Sequence, residues 1–409
     1  MTEPPTDAHT TMTTENVYQR LGVEEVINAA GTKTRIGGSL IRPEAADAMR
    51  EAANGFAEIS ELQARASELI RDVTGAEAGY VTSGASAGLT MAAAACIAGD
   101  DPEKMRQLPS TDGIPDRIVV PRSHRSSYDH AYRVAGATIA DVGANDHRLG
   151  TGAENTKLWE IDAAIDEETV AVGYMQKPST DPPLAEVVEV AHRHDVPVIV
   201  DAAAELPPVE NLRRFVDAGA DLVAFSGGKA IRGPQTTGIL AGRKDLIRST
   251  ALQHLDMHEH RAIWDPPAGL IDSDAVDGIP GQGVGRGMKV SKEELVGLIT
   301  ALDLFVEEDF AASSRKWRAQ AEGIVDDVDS LDCVSTRVDG GDVATVVVTV
   351  DGAAAPASAT DVVRRLRTGS PPIFVGSDDI ERDQFTINPM CLADGEADVL
   401  VDRLYEILS

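Results

Sequence analysis

The run Ala224-Phe225-Ser226-Gly227-Gly228-Lys229 ends an apolar stretch in a serine, two glycines and a lysine. Glycines let a backbone approach a ligand closely, and a lysine held at such a place is an amine nucleophile. A tight turn with a surface lysine would use the same residues. A second stretch, Tyr80-Val81-Thr82-Ser83-Gly84-Ala85-Ser86, leads from a strand into an alanine-rich helix. The free amides of a helix start, with the helix dipole, make an anion site there, although a plain strand-turn-helix connection has the same composition. His254, His258 and His260 include an i, i+4 pair that could bind zinc, but their order is not HExxH, and an exposed polar helix end is the simpler reading. Cys96, Cys333 and Cys391 lie far apart with no CxxC spacing, which argues against a disulfide framework and a zinc module.

The Ser226-to-Lys229 motif resembles the Ser-x-x-Lys site of pyridoxal-phosphate enzymes of the aspartate aminotransferase fold. The resemblance implies that Lys229 forms a Schiff base with the cofactor and that Ser226 holds its phosphate, with Ser83, Gly84 and Ala85 as the opposite wall of a phosphate cup. Such a cofactor is an effective electron sink when its ring nitrogen stays protonated, so a carboxylate is required. Asp201 ends the apolar run Val196-Pro197-Val198-Ile199-Val200. That places it at the C-terminal end of a buried parallel strand, where ligands of open α/β sheets collect. The interval to the lysine, 229 − 201 = 28 residues, leaves room for one helix and one strand. An aspartate there could also cap the next helix. His124, in Pro121-Arg122-Ser123-His124, stands where class V aminotransferase-like members place a histidine flat on the cofactor ring, with the imidazole near the substrate for proton transfer. A loop histidine fits as well, and His130 is read as structural. Ser179 occupies a position where the family often puts a small polar residue beside the cofactor's hydroxyl; an ordinary loop serine fits equally.

These residues need a scaffold. From about Ala78 to Gly242 short β-branched runs alternate with amphipathic helical stretches, the pattern of a largely parallel sheet covered on both faces. Strands are expected at Tyr80 to Thr82, Arg117 to Val120, Thr138 to Val142, Val170 to Met175, Val196 to Asp201, Leu222 to Ser226 and Thr237 to Leu240. Helices are expected at Ala87 to Ala98, Leu184 to His194 and Asn211 to Ala218. Upstream, Pro43 sits in the first turn of one helix, and Glu61 to Val73 forms another that stops at Gly75. Downstream, Pro266 to Gly287 reads as a long loop and Lys292 to Ala311 as a long helix. Strands near Val343 to Val350, Ile373 to Val375 and Phe385 to Ile387, with helices at Ala359 to Arg367 and Gly395 to Leu408, make a smaller α+β domain. The expected organisation is a polar tail over 1–20, an N-terminal arm with helices over 21–77, a large cofactor-binding domain over 78–290 and a small domain over 291–409.

Several stretches together resemble one branch of that superfamily: the selenocysteine synthase (seryl-tRNA selenium transferase) group and its D-glucosaminate-6-phosphate ammonia lyase-like relatives. They are Val26 to Thr32, Asp201 to Pro208, Ser226 to Gly238, Gly285 to Glu294 and Thr386 to Pro389, and the resemblance runs from about Val17 to the end. Two departures bear on substrate. The synthases carry an additional N-terminal tRNA-gripping domain, where about twenty polar residues stand here, and they usually have an acidic residue next to the lysine, where this chain has Gly227-Gly228. The resemblance therefore implies an α/β protein of aspartate aminotransferase-like fold (fold type I), with pyridoxal 5'-phosphate as cofactor. The implied reaction is α,β-elimination on an amino acid, releasing a 2-oxo acid and ammonia. Selenium transfer to seryl-tRNA and transamination are the alternatives, and intact Lys229 and Asp201 argue against a non-enzymatic binding protein. Arg286 and Lys289, beside glycines, could reach an anion, also across a subunit interface. Arg286, Arg367 and Arg382 are the candidates for gripping a substrate carboxylate. Enzymes of this fold complete their sites with a neighbour's loops, so a homo-oligomer is expected, with Gly281 to Gly287 as a contributor.

Composition narrows the partners. The 409 residues carry 67 acidic and 37 basic side chains, a formal charge of −30, so the average surface repels nucleic acid and anionic membranes. tRNA is accordingly not the expected partner. The acidic, lysine-poor, alanine- and valine-rich composition resembles that of proteins from salt-loving organisms. No apolar run approaches the roughly 20 residues of a spanning helix, and the first twenty residues lack the apolar stretch of a signal peptide. A reducing cytoplasm is the expected location.

Overall fold

The computed structural model describes residues 16–144, 156–177, 180–255, 258–276, 279, 281 and 283–409. These fall into two compact units, one of Gly37–Phe310 and one of residues 16–36 with 311–409. The first strand, β1 (Ile27–Ala29), belongs to the smaller unit. The larger unit is built on β2 (Ala78–Thr82), β3 (Arg117–Pro121), β4 (Thr138–Val142), β5 (Thr169–Met175), β6 (Val198–Asp201), β7 (Leu222–Ser226) and β8 (Gly238–Gly242). They form one sheet in the order β2-β8-β7-β6-β5-β3-β4. Only β8 runs against its neighbours, and the pairs among β3 to β7 are all parallel. The chain thus has the α/β, mostly parallel architecture of the aspartate aminotransferase-like fold.

The seven strands expected here are all present, with ends shifted by at most two residues. β6 and β7 read as continuous apolar runs because helices cover both faces, leaving Val198, Ile199, Val200, Leu222, Val223, Ala224 and Phe225 buried. The helix Ala85–Ala98 is buried along nearly its whole length. A helix apolar all round has no solvent face, and its alanines keep it thin enough to lie within the core. The free edge of β2 is closed by side chains of the helix Ile59–Thr74. Gln63 accepts from the Val81 amide at 3.0 Å and donates to the Val81 carbonyl at 2.9 Å, and Ser67 accepts from the Gly79 amide at 3.0 Å. A side-chain amide thereby replaces the missing neighbour strand. That helix stops at Gly75, whose φ of 74° is left-handed.

The expected helix over Lys292 to Ala311 is instead two, Lys292–Glu307 and Phe310–Val328. Glu307, Glu308 and Asp309 gather three carboxylates at a helix C-terminus, where negative charge is unfavourable. Glu308 leaves the helix with ψ 132° and pairs with Arg42. The helix Lys292–Glu307 lies within the larger unit, so the division falls after residue 310, not at 291. In the smaller unit an antiparallel sheet has the order β12-β10-β9, with β9 (Val334–Asp339), β10 (Thr345–Val350) and β12 (Gln384–Ile387). β1 pairs in parallel with β11 (Ile373–Val375), placing Asn28 opposite Phe374. Val346, Val348, Leu366, Phe385, Leu400 and Leu404 are part of its separate core.

Candidate active site

β2 and the parallel strands all end at one edge of the larger sheet. Ser83 follows β2, His124 closes a short turn after β3, Asp201 ends β6, and Ser226 ends β7 three residues before Lys229. Five expected site positions thus share that edge because six strands point the same way.

The two walls of the proposed phosphate cup meet across Gly238, the first residue of β8. It is paired with Thr82 on one side and Ser226 on the other. A Cβ at this position would lie 2.3 Å from the Gly84 carbonyl carbon and 2.5 Å from the Ala85 nitrogen, so the turn over it tolerates only hydrogen. Gly84, with φ 97° and ψ 161°, redirects the chain into the helix Ala85–Ala98, whose start no side chain caps. That leaves backbone N–H groups and the positive dipole end for an anion. The Ser83 amide donates to the Met288 carbonyl at 3.2 Å, tying the cup to the turn Val284–Met288.

Glycines 227 and 228 are demanded by the packing of the loop itself. A Cβ on Gly227 would meet Thr237 Oγ1 at 2.2 Å, and one on Gly228 would meet the Gln235 Cα at 2.3 Å. They let the lysine-bearing loop fold tightly on its own return. A segment nearly two hundred residues earlier fastens that loop. Ser39 Oγ donates to the Lys229 carbonyl at 2.5 Å and the Gly228 carbonyl at 3.1 Å. The Arg42 amide and side chain donate to the Arg232 and Ile231 carbonyls, each at 2.9 Å. Neither Ser39 nor Arg42 stood out as a functional residue in the sequence.

Asp201 accepts from the Ala203 amide at 3.1 Å. Burial raises its carboxyl above the ordinary range, while that amide and the charges of Lys229 and Lys177 pull the other way. Glu205 is a second carboxylate of this neighbourhood. It too is raised by burial and lies within electrostatic reach of Asp201, Lys229 and Lys177. It sits inside the Asp201 to Pro208 stretch, where its proximity becomes apparent only once the chain has turned. His124 is buried, and burial pushes its imidazole down to about 4. Its ring stands edge-on to Tyr174, centroids 4.6 Å apart. Its Nε2 lies 3.1 Å from the Asp181 carbonyl, and its Nδ1 is buried with no partner. Since a carbonyl only accepts, Nε2 carries the hydrogen and Nδ1 presents a bare lone pair. His124, Asp201, Tyr132 and Tyr174 line one small cleft. Ser179 lies outside the described residues.

Of the histidine cluster, His258 and His260 are exposed as expected, and His254 is not. His254 is buried, not on an exposed helix end, because its Nδ1 is hydrogen-bonded to the Tyr80 hydroxyl beneath β2. Burial, then the charges of Arg286 and Lys289, push it down to about 4. Among the described residues no group of three histidine, cysteine or acidic side chains could hold a metal. Arg286 and Lys289 are exposed and line, with His254, Ile59 and Trp264, a cleft of about 970 Å³. None of the three cysteines is in a disulfide. No helix among the described residues is long and apolar enough to cross a membrane.

Comparison with known proteins adds a family. The family described as aminotransferase class-V matches residues 41–257. The chain is 32% identical over 404 residues to D-glucosaminate-6-phosphate ammonia lyase of Salmonella typhimurium, covering 96% of this chain and 98% of the relative. It is also 32% identical over 404 residues to 5'-C-glycyluridine monooxygenase-decarboxylase of a Streptomyces species, covering 96% and 92%. An L-seryl-tRNA(Sec) selenium transferase of Nitratidesulfovibrio vulgaris is 27% identical, over 92% of this chain and 80% of its own. Among solved structures, D-glucosaminate-6-phosphate ammonia-lyase superposes with a TM-score of 0.78 at 30% identity, covering 96% and 98% of the two chains. The cysteine desulfurase CsdA from Escherichia coli, at 17% identity and a TM-score of 0.55, shares the fold.

Proposed function

The chain belongs to the aminotransferase class-V family and is a pyridoxal-phosphate enzyme, and from that premise we propose a lyase that releases ammonia from an amino acid by α,β-elimination. The observation that carries the reading is the full-length similarity to an ammonia lyase, in sequence and in structure.

The residues suit the cofactor. Ser226 and the uncapped helix start behind Ser83, Gly84 and Ala85 would hold a phosphate; Asp201, at a strand end, would keep a proton on the ring nitrogen. When bound, the cofactor supplies an electron sink for the charge left as the α-hydrogen departs. Lys229 would anchor the cofactor and carry the α-proton, its backbone held by Ser39 and its loop by Arg42. His124 stays neutral at ordinary pH and offers Nδ1 as the proton-accepting atom. The leaving group stands on the β-carbon, so a β-hydroxylated or otherwise β-substituted amino acid fits. The enzyme would act in a reducing cytoplasm as a homo-oligomer, with the Gly281 to Gly287 stretch near a neighbour.

The equal identity to a monooxygenase-decarboxylase supports a second reading, oxidative decarboxylation using dioxygen. One experiment separates the two. β-Substituted D- and L-amino acids, phosphorylated sugar acids included, are supplied under argon and under air, with ammonia, 2-oxo acid, carbon dioxide and oxygen all measured. The lyase reading requires equimolar ammonia and oxo acid without oxygen or an added acceptor. Oxygen uptake matched by carbon dioxide selects the second reading, and strict dependence on an added oxo acid selects transamination.

A further inference from the structure

The stretch between β5 and the helix Leu184–His192 is fastened by two side chains with no part in the chemistry derived so far. Tyr174, on β5, is buried and donates its hydroxyl to the Pro182 carbonyl at 3.0 Å. One residue earlier, the Asp181 carbonyl accepts from His124 Nε2 at 3.1 Å. Thr180 Oγ1 donates to the Met175 carbonyl at 3.0 Å and accepts from the Lys177 amide at 2.7 Å, closing the loop on its own strand. The Tyr174 ring also meets the imidazole edge-on, with centroids 4.6 Å apart and planes at 87°. Burial, then the charge of Asp181, pushes the Tyr174 hydroxyl up to about 12, so it keeps the proton it donates.

A neutral imidazole has one hydrogen for two nitrogens, and the bond made by one nitrogen decides what the other offers. An outer partner of this kind fixes the orientation of the ring as well as its tautomer. For His124 that partner is a carbonyl in a loop, and it is only as fixed as the contacts that seat the loop. The orphaned Nδ1 on the far side of the ring depends on them in turn. Among the described residues, the charges acting on His124 are those of Lys177, which follows β5, and of Asp181 itself. Across the same cleft stand Asp201, which accepts from the Ala203 amide, and Asp129, which is paired with Arg125.

We propose that Tyr174 is a positioning residue of the active site, which holds the proton-accepting nitrogen of His124 in place through the loop carbonyls of Pro182 and Asp181. The hydroxyl seats the loop, the loop presents the Asp181 carbonyl to Nε2–H, and the lone pair of Nδ1 is thereby kept bare and aimed. The same loop shields the imidazole from water. Burial is the larger effect on His124 and lowers its midpoint, whereas the Asp181 bond is the lesser and raises it. Loosening the loop relieves both, so the midpoint rises.

The test uses the full chain with isotopically labelled histidine, with and without cofactor. Nuclear magnetic resonance reads the tautomer and the titration midpoint of His124, whose signals are identified by their loss in His124→Gln. Wild type should show a hydrogen on Nε2, none on Nδ1, and a midpoint of about 4. In Tyr174→Phe the two tautomers should mix and the midpoint should move up toward the ordinary 6.5. Turnover should fall roughly 2- to 10-fold, the worth of one hydrogen bond, with KM little changed and the acid limb of the pH profile moved upward. Tyr132→Phe, at a buried tyrosine of the same cleft that does not bond Pro182, should leave tautomer and midpoint in place. If Tyr174→Phe fails to fold, Thr180→Val frees the same loop from the Met175 carbonyl and should move the His124 signals in the same direction. The proposal rests on the proton-accepting role given to His124, yet the two fail separately. Wild type that eliminates nothing sinks the lyase reading and leaves the resonance measurement to decide this one. An unchanged tautomer and midpoint in Tyr174→Phe, or a hydrogen on Nδ1 in wild type, overturns the proposal.

Discussion

Gly238→Ala tests the phosphate cup without altering a polar side chain. The added methyl would sit 2.3 Å from the Gly84 carbonyl carbon, against roughly 3.5–4.0 Å for relaxed carbon contacts, an overlap of more than about 1 Å. β8 cannot retreat, since it is hydrogen-bonded to β2 and β7 on its two sides. The turn Ser83-Gly84-Ala85 must move instead, and it carries the amides that would face the phosphate. Overpacking of this kind costs about 1–3 kcal/mol. If the displacement falls on the cup, cofactor affinity drops roughly 5- to 150-fold. Spectroscopic titration of cofactor-free protein with pyridoxal phosphate measures it, with circular dichroism to establish that the variant is folded. Gly242→Ala is the control: it lies at the other end of the same strand, where its Cβ would meet the Asp221 carbonyl oxygen at 2.0 Å. It should cost stability and leave affinity alone. A folded Gly238→Ala protein with wild-type affinity, or equal losses in both variants, refutes the placement of the cup.

Borohydride reduction of the holoenzyme followed by peptide mapping should place the covalent label on Lys229, and Lys229→Ala should lower turnover by at least about 10²–10⁴-fold; label on another lysine removes the assignment. Asp201→Asn should bind cofactor more weakly and exchange the substrate's α-hydrogen with solvent deuterium far more slowly, whereas unchanged exchange would show that no carboxylate is needed there. His124 and His254 are held neutral down to about pH 4, while unfolded histidines take up protons near pH 6.5. The unfolded chain therefore binds more protons in that window, and stability should fall as pH drops from about 6.5 to 4, by up to about 3 kcal/mol per histidine. Melting curves of wild type and His254→Gln across that range check it: the slope should be shallower in the variant. Sedimentation at micromolar concentration should show an oligomer, and a fully active monomer rules that out.

The larger sheet was legible because its inner strands, β5, β6 and β7 among them, are apolar on both faces and read as continuous apolar runs. β1 escaped notice because its three residues leave little hydrophobic signal. The helix Phe310–Val328 buries only Ala321, Ile324 and Val328, too thin a stripe to stand out among its charges. Within the site, strand-end residues such as Asp201 and Ser226 could be placed from local pattern. Ser39, Arg42 and Glu205 could not, since their roles depend on chain segments that meet only after folding.

The fastening of the lysine loop has a consequence for how this architecture can be cut or recombined. Lys229 rides on a loop held by Ser39 and Arg42, and Arg42 is held in turn by Glu308. A fragment from Ala78 to Gly242 would contain every strand of the larger sheet and the lysine itself, yet would present that lysine on an untethered loop. The smallest transferable module that keeps the nucleophile in place therefore begins before Ser39 and ends after Glu308. On the ribosome, likewise, the amine cannot be set in position until some eighty residues beyond it have emerged, so a nascent chain displays the lysine long before it can use it.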